Sequence, residues 1–345
     1  MASRRITTVI IAALVLLLVA CGGKPRTRTD SRQDGTPWRS GSLARGKQSG
    51  VWTYWYPGGQ QQASGRFVND KQDDRWTWWY PNGQMQSTGS YAGKGQRVGE
   101  WAHWHESGKR QAQGAYGNAV TAAVKPGEGR ADRQHGLWRY WRADGTPAVS
   151  GWFVNGSRML VWTYLAADGT LAEQGAYWNG AKIGWWRERK DGAETWVDHG
   201  CPAGYECYRE PSTGTPRRWG MLKDQRPTGI WIVYGADGAP RYADLTDGEI
   251  VEWMAWRDDG SLLGAGRRGA APIEQYFTPA GLTMVATAGD AARTEAQAVV
   301  AASERLARAE LVTTVAPGPV ASSAPAVKPA AVAELSLAPM AILPG

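Results

Sequence analysis

The sequence predicts an all-β protein: an elongated, single-layer antiparallel sheet of tandem β-hairpins, closed by a short C-terminal helix and a disordered tail. Three observations predict it. The 345-residue chain carries 20 Trp and 44 Gly but only 3 Phe, so Trp acts as a repeated structural part in place of an ordinary aliphatic core. A five-position pattern recurs every 24 or 25 residues, as from Trp52 to Trp76 and from Trp76 to Trp101. A turn-forming Gly-Gly, Asn-Gly or Asp-Gly pair follows most of the aromatic runs, and such pairs between strand-like segments are the strongest short hairpin signal.

In chain order, residues 1–20 read as an export signal. Arg4 and Arg5 precede an apolar run from Ile6 to Ala20, which is short against the ~20 residues of a membrane-spanning helix. Residues 21–47 are polar, lack apolar periodicity and are expected to form a flexible tether. The repeat array then occupies 48–285.

Its clearest copies are Trp52-Trp55-Gly59-Gly65-Phe67, Trp76-Trp79-Gly83-Gly89-Tyr91, Trp101-Trp104-Gly108-Gly114-Tyr116, Trp138-Trp141-Gly145-Gly151-Phe153 and Trp162-Leu165-Gly169-Gly175-Tyr177. Degenerate copies start at Trp186, Trp231 and Trp253. In each copy a β-favouring run such as Trp52-Thr53-Tyr54-Trp55-Tyr56 meets a turn, a second strand returns, and a looser connection leads onward. The many glycines are read as serving turns. Strands about 4.8 Å apart would make eight such units roughly 80 Å long, a rod or curved ribbon. Insertions near 117–135 and 193–220 interrupt the array. Asp290 is expected to open a helix within 286–312, with Val299, Val300 and Leu306 as a weak stripe. The Ala/Pro-rich stretch 313–345 reads as disordered.

The repeats resemble MORN repeats, in the bacterial variant with a Gly-x-Trp-x-x-Tyr-x-x-x-Gly core, over roughly residues 48 to 265. The resemblance implies a twisted sheet of hairpins and says little about chemistry. Bacterial proteins of this variant often carry an antitoxin label. Leu18-Val19-Ala20-Cys21 resembles the lipobox of bacterial lipoproteins, which implies cleavage before Cys21 and lipidation of that residue, with an uncleaved anchor or an ordinary signal as the other readings. By the same resemblance, Gly22 after the Cys favours an outer membrane facing the periplasm if the host has two membranes. Several acyl chains make a lasting anchor where one does not.

Alternation along a strand places Trp52, Tyr54 and Tyr56 on one face and Trp55 on the other. The leading column is Trp throughout: Trp52, Trp76, Trp101, Trp138, Trp162, Trp186, Trp231 and Trp253. An unvarying column is expected to be the structural spine. The second column is Trp55, Trp79, Trp104, Trp141, Leu165, Arg189, Tyr234 and Trp256; its tolerance marks its aromatics, Trp55, Trp79, Trp104, Trp141, Tyr234 and Trp256, as candidate ligand-binding residues. The competing reading is that both columns pack on neighbouring repeats.

Chemistry is sparse. There is no P-loop and no nucleophile elbow, and the Asp residues fall mostly in turns, where they tolerate positive φ. His103 and His105 share a strand face and would permit a two-ligand metal site, though surface histidines are the simpler reading. Cys201 and Cys207 suggest a local disulfide in an exported chain, with a metal pair or a redox site as the alternatives. The formal charge of +7 is dispersed, which fits an anionic surface better than nucleic acid. No cofactor and no enzymatic activity are expected. The expected role is a membrane-anchored envelope scaffold with a protein partner. The alternatives are binding of cell-wall glycan or a membrane surface, or service as the immunity or antitoxin-like partner of a toxin.

Overall fold

The computed structural model describes residues 26–117, 132–210, 216–246, 250–257, 260–267, 273–277 and 283–284. Cys21, the expected signal segment, helix and tail, and most of the insertion after Gly117 lie outside the described residues.

Among the described residues the fold is all-β and built from tandem antiparallel hairpins. The first sheet has fourteen strands in sequential order. They are β1 (Arg26–Ser31), β2 (Pro37–Ala44), β3 (Lys47–Trp55), β4 (Gln61–Val68), β5 (Lys71–Trp79), β6 (Met85–Ala92) and β7 (Gln96–Trp104). The sheet continues through β8 (Arg110–Tyr116), β9 (Gln134–Trp141), β10 (Pro147–Val154), β11 (Ser157–Leu165), β12 (Leu171–Trp178), β13 (Ala181–Lys190) and β14 (Ala193–Asp198). A second, eight-stranded sheet follows: β15 (Glu206–Arg209), β16 (Arg218–Lys223), β17 (Arg226–Tyr234), β18 (Pro240–Thr246), β19 (Ile250–Trp256), β20 (Leu262–Arg267), β21 (Ile273–Phe277) and β22 (Thr283–Met284).

Two turn types alternate. Within a repeat, a type I turn ends in a left-handed glycine: Gly59 has φ 80°, its N–H donates to Tyr56 O, and Tyr56 N–H donates to Gln60 O. The same arrangement closes β5–β6 at Gly83 and β9–β10 at Gly145. Between repeats the connection is tighter than the loose linker expected. Arg45-Gly46, Asn69-Asp70, Asn155-Gly156 and Asn179-Gly180 are two-residue turns with positive φ at both positions, the geometry that matches strand twist.

The joint between successive hairpins explains the repeat. Three residues of the incoming strand oppose one glycine of the outgoing strand. Thus Ser40 pairs with Thr53 and Ser42 with Ser49, leaving Gly50, Val51 and Trp52 opposite Gly41. The residue two before the leading Trp takes positive φ in β3, β5, β7, β9, β11, β13 and β17: Gly50, Asp74, Gly99, Gly136, Leu160, Gly184 and Gly229. This bulge swings the indole flat over the opposing glycine. A Cβ on Gly65 would lie 2.1 Å from Trp76 Cδ2, and Gly41, Gly89, Gly114, Gly151, Gly175 and Gly220 seat their indoles as closely.

The bulge also frees a carbonyl, and the indole N–H takes it. Trp76 Nε1 donates to Arg66 O at 2.9 Å, Trp138 Nε1 to Ala115 O at 3.0 Å and Trp186 Nε1 to Ala176 O at 3.1 Å. These mid-strand glycines therefore serve close packing, which corrects their reading as turn residues. Beyond the seats Gly65, Gly89, Gly114, Gly151 and Gly175, the aromatic two residues on meets the indole edge to face, as for Phe67 on Trp76 at 4.9 Å and Tyr91 on Trp101 at 5.2 Å. All eight leading Trp residues are buried. Fully burying one such side chain contributes several kcal/mol.

Three expectations change. Residues 26–44 of the expected tether form a hairpin, β1–β2. Its turn repeats the others, with Gly35 N–H donating to Arg32 O, and Gly41 seats Trp52 while Trp38 packs on Tyr54 at 6.4 Å. Without that seat Trp52 would lie bare. The expected insertion at 193–220 holds β14, β15 and β16, and Gly220 of β16 seats Trp231.

The third change concerns the single layer: the second sheet packs on the first. Leu137, Trp152, Val161 and Ile183 of the first sheet form one core with Trp219, Ile230, Ile232, Met254 and Trp256 of the second. Glu252 sits in that core, accepting a hydrogen bond from Trp152 Nε1 and lying 3.2 Å from His135 Nε2. Apolar residues on both faces of β17 and β19 cause this, because each sheet would otherwise expose one apolar face.

Candidate functional site

The two faces of the first sheet differ. One carries the spine and its supporting rings in a continuous cluster from Trp52 to Trp186. On the other face the second sheet covers the later repeats, where His135, Leu137, Trp152 and Val161 are buried. The second Trp column lies on this face, so its members have different fates.

Trp55, Trp79, Trp104 and Trp141 are half-buried and belong to neither core cluster. Tyr234 and Trp256 occupy the equivalent position in the second sheet but are 7% and 3% exposed and sit in the core between sheets. They are corrected from candidate ligand-binding residues to packing residues. Leu165 is half-buried and Arg189 exposed at the end of the column.

Each of the four Trp residues is fixed through its backbone by the preceding repeat. Tyr56 OH donates to Trp79 O at 2.9 Å and Tyr80 OH to Trp104 O at 2.8 Å. Arg32 donates to Trp55 O, and His105 Nε2 meets Trp141 O at 2.9 Å. These bonds hold the strand ends at a constant offset while leaving the indoles outside the core.

Beside this column runs a polar row. Thr29, Ser40, Thr53, Ser64, Thr77 and Thr88 are register partners from strand to strand. Thr29 and Ser40 hydroxyls are 3.0 Å apart, and those of Thr77 and Thr88 are 3.1 Å apart. Beyond Ala102 the row continues as Gln113, Arg139, Ser150 and Thr163. Sequence reading by columns of Trp missed this row, although the residue after each leading Trp signals it.

Charge enters toward β7–β9. The Arg110 guanidinium lies 4.5 Å from the centre of the Trp104 ring and that of Arg139 5.5 Å from Trp141. Dehydration by the surrounding chain raises the Glu100 carboxyl above its ordinary range, with Arg139 pulling it back. The same dehydration lowers Arg110 and Arg139. Glu100 nevertheless stays open to solvent, as a charge does in a hollow and not on a ridge.

His103 and His105 do not form a ligand pair. His103 is 8% exposed and stacks on Trp101 at 6.0 Å, and burial, with Arg97 and Arg110 adding, depresses its pKa to about 4. His105 is engaged with Trp141 O. Among the described residues, no three potential metal ligands gather. Cys201 and Cys207 are joined by a disulfide with Cα atoms 5.8 Å apart. On the chain-entropy account so small a ring contributes about 2–3 kcal/mol.

Comparison with known proteins adds one family match. No protein of curated function matches the chain. Solved structures similar to parts of it include a crystal structure of TcdB2-TccC3, 8% identical over 77% of this chain and 16% of that one, with a TM-score of 0.16. Another is the Photorhabdus luminescens Tc holotoxin pore carrying the TccC3 D651A mutation, 10% identical over 77% of this chain and 18% of that one, with a TM-score of 0.17. The chain spans less than a fifth of either, and likenesses this weak carry no argument. Residues 75–92, which fall within the third hairpin β5–β6, match the MORN repeat variant family model, and the chain therefore carries a MORN-variant repeat at that hairpin.

Proposed function

We propose that the protein is a non-catalytic interaction scaffold, held at the cell envelope by lipid on Cys21, whose uncovered strip along β3–β9 docks a ligand. The observation that carries this reading is the placement of Trp55, Trp79, Trp104 and Trp141 at one register position on an uncovered face, outside both cores. Half-exposed indoles repeated along a rigid sheet favour binding, because aromatic side chains supply large contact area at little entropic cost. The MORN-variant match at residues 75–92 is consistent with a repeat scaffold, since binding area in such arrays grows with copy number.

The test is co-purification of the full chain from native envelopes beside its Trp79→Ala variant. A ligand retained by the parent and lost by the variant supports the strip; identical retention refutes it. A captured toxin would make the protein an immunity partner through the same strip. Fractionation of Cys21→Ser tests the anchor separately, the expected outcome being release from membranes. A variant still found in the membrane fraction refutes lipid anchorage.

A further inference from the structure

Building on the docking strip, we propose that its ligand is a single acidic polysaccharide chain of β-1,4-linked pyranoses, laid across the strands from hairpin to hairpin. A repeating surface fits a repeating ligand. Trp55, Trp79 and Trp104 project from β3, β5 and β7, with Trp141 next on β9. Every second strand at ~4.8 Å spacing puts the indoles about 10 Å apart, close to one disaccharide of an extended β-1,4-linked chain. A folded protein partner would have no reason to match that period.

The second match is chemical. A pyranose offers apolar C–H faces and a hydroxyl edge, and the strip offers indoles two residues along the strand from a hydroxyl row. In that row Thr29 with Ser40, and Thr53 with Ser64, share one proton per pair at 3.0 and 3.5 Å. Each pair keeps one O–H to donate and three lone pairs to accept. Trp55 and Trp79 supply the apolar end, since no cation–π contact occupies them among the described residues.

The third match is charge. Arg66, Arg75, Arg110 and Arg139 share this face by strand register and alternation, against Glu100 and Asp73. Asp73 lies 3.8 Å from Arg66. The surplus is positive and extends to Trp104 and Trp141, so carboxylates along the sugar chain find partners. Strand twist of roughly −20 to −25° per step turns the platform by about 45° from one Trp to the next. A flexible single chain follows such a twist, whereas a crystalline polysaccharide face is flat.

Calorimetric titration of the full chain at low ionic strength tests this with defined probes. These are β-1,4-linked mannuronate dimer, hexamer and octamer, the neutral β-1,4-linked glucose hexamer, and insoluble microcrystalline cellulose. The mannuronate hexamer is expected to bind roughly tenfold or more tighter than both the dimer and the neutral hexamer. The octamer should bind tighter still, salt should weaken both, and cellulose should not pull the protein down. Trp79→Ala should cost the hexamer about tenfold, and Thr77→Val, which keeps the branched shape, a smaller measurable factor, with both melting as the parent does. Failure of every soluble probe to bind overturns the proposal, as does equal affinity for dimer and hexamer. If no glycan binds but an envelope protein is lost from Trp79→Ala, the strip stands and the polysaccharide assignment falls.

Discussion

Replacing Gly65 with Ala probes the joint that makes the array. The added Cβ would stand 2.1 Å from Trp76 Cδ2 and 2.3 Å from Cε2 and Cγ, whereas carbon atoms rest about 3.5–4.0 Å apart. The indole must retreat by more than an ångström, and it is fully buried. Moving it strains the 2.9 Å bond from Nε1 to Arg66 O, and a buried N–H left unpaired costs about 1–3 kcal/mol. It disturbs the edge-to-face contact with Phe67 at 4.9 Å, a pair worth about 0.5–1.5 kcal/mol. Overpacking a filled site adds about 1–3 kcal/mol. The expected loss is therefore about 3–7 kcal/mol, at least comparable to deleting the Trp itself. The control is Gly58→Ala, because a Cβ there meets nothing within 4 Å and its φ is not positive. Denaturant unfolding gives the global effect. Amide exchange in β4 and β5 localises it, since repeat arrays open in parts. Equal stabilities for the two variants would refute the seating argument.

Three further outcomes follow from the same geometry. Trp138→Ala should destabilise by about 3–5 kcal/mol and Trp55→Ala by much less, read by the same denaturation; equal losses would erase the distinction between faces. His103 is buried neutral with its pKa near 4, below the unfolded value of about 6.5, so the unfolded state binds the extra proton first. Stability should fall as pH drops from about 6.5 toward 4, at up to roughly 1.4 kcal/mol per pH unit, and His103→Phe should flatten that slope. Asp74 holds φ 58° at a bulge position where glycine stands in most other repeats, so Asp74→Gly should raise stability by about 1 kcal/mol; a loss would show the carboxylate matters more than the backbone.

The spine was legible in the sequence because its cause is local. A Trp two residues after a positive-φ position, with a glycine on the preceding strand, is fixed by backbone geometry alone, so copies from Trp52 to Trp231 obey it, while Trp253 is buried opposite Asp244 without a glycine seat. The first hairpin was equally local but lacks a leading Trp; Gly41, eleven residues before Trp52, was its available signal. Burial of Tyr234 and Trp256 was not local. They hold the same register position as Trp55, and only contact between sheets separates their fates. One trace existed in the sequence: the residue after each leading Trp is Thr53, Thr77, Ala102, Arg139, Thr163 and Arg187, then Ile232 and Met254. That change from polar to apolar marks the second sheet, whose Ile232 and Met254 turn this face into the core between the sheets.

The seat between Trp138 and Gly114 joins β8 to β9 across the whole intervening segment: Gln113 still pairs with Arg139 and Ala112 with Tyr140. A fastening that depends on one indole, one glycine and one freed carbonyl is indifferent to how much chain lies between its halves. Whole cassettes could therefore be spliced in or out of such a protein, shortening or extending its reach while every remaining joint closed as before.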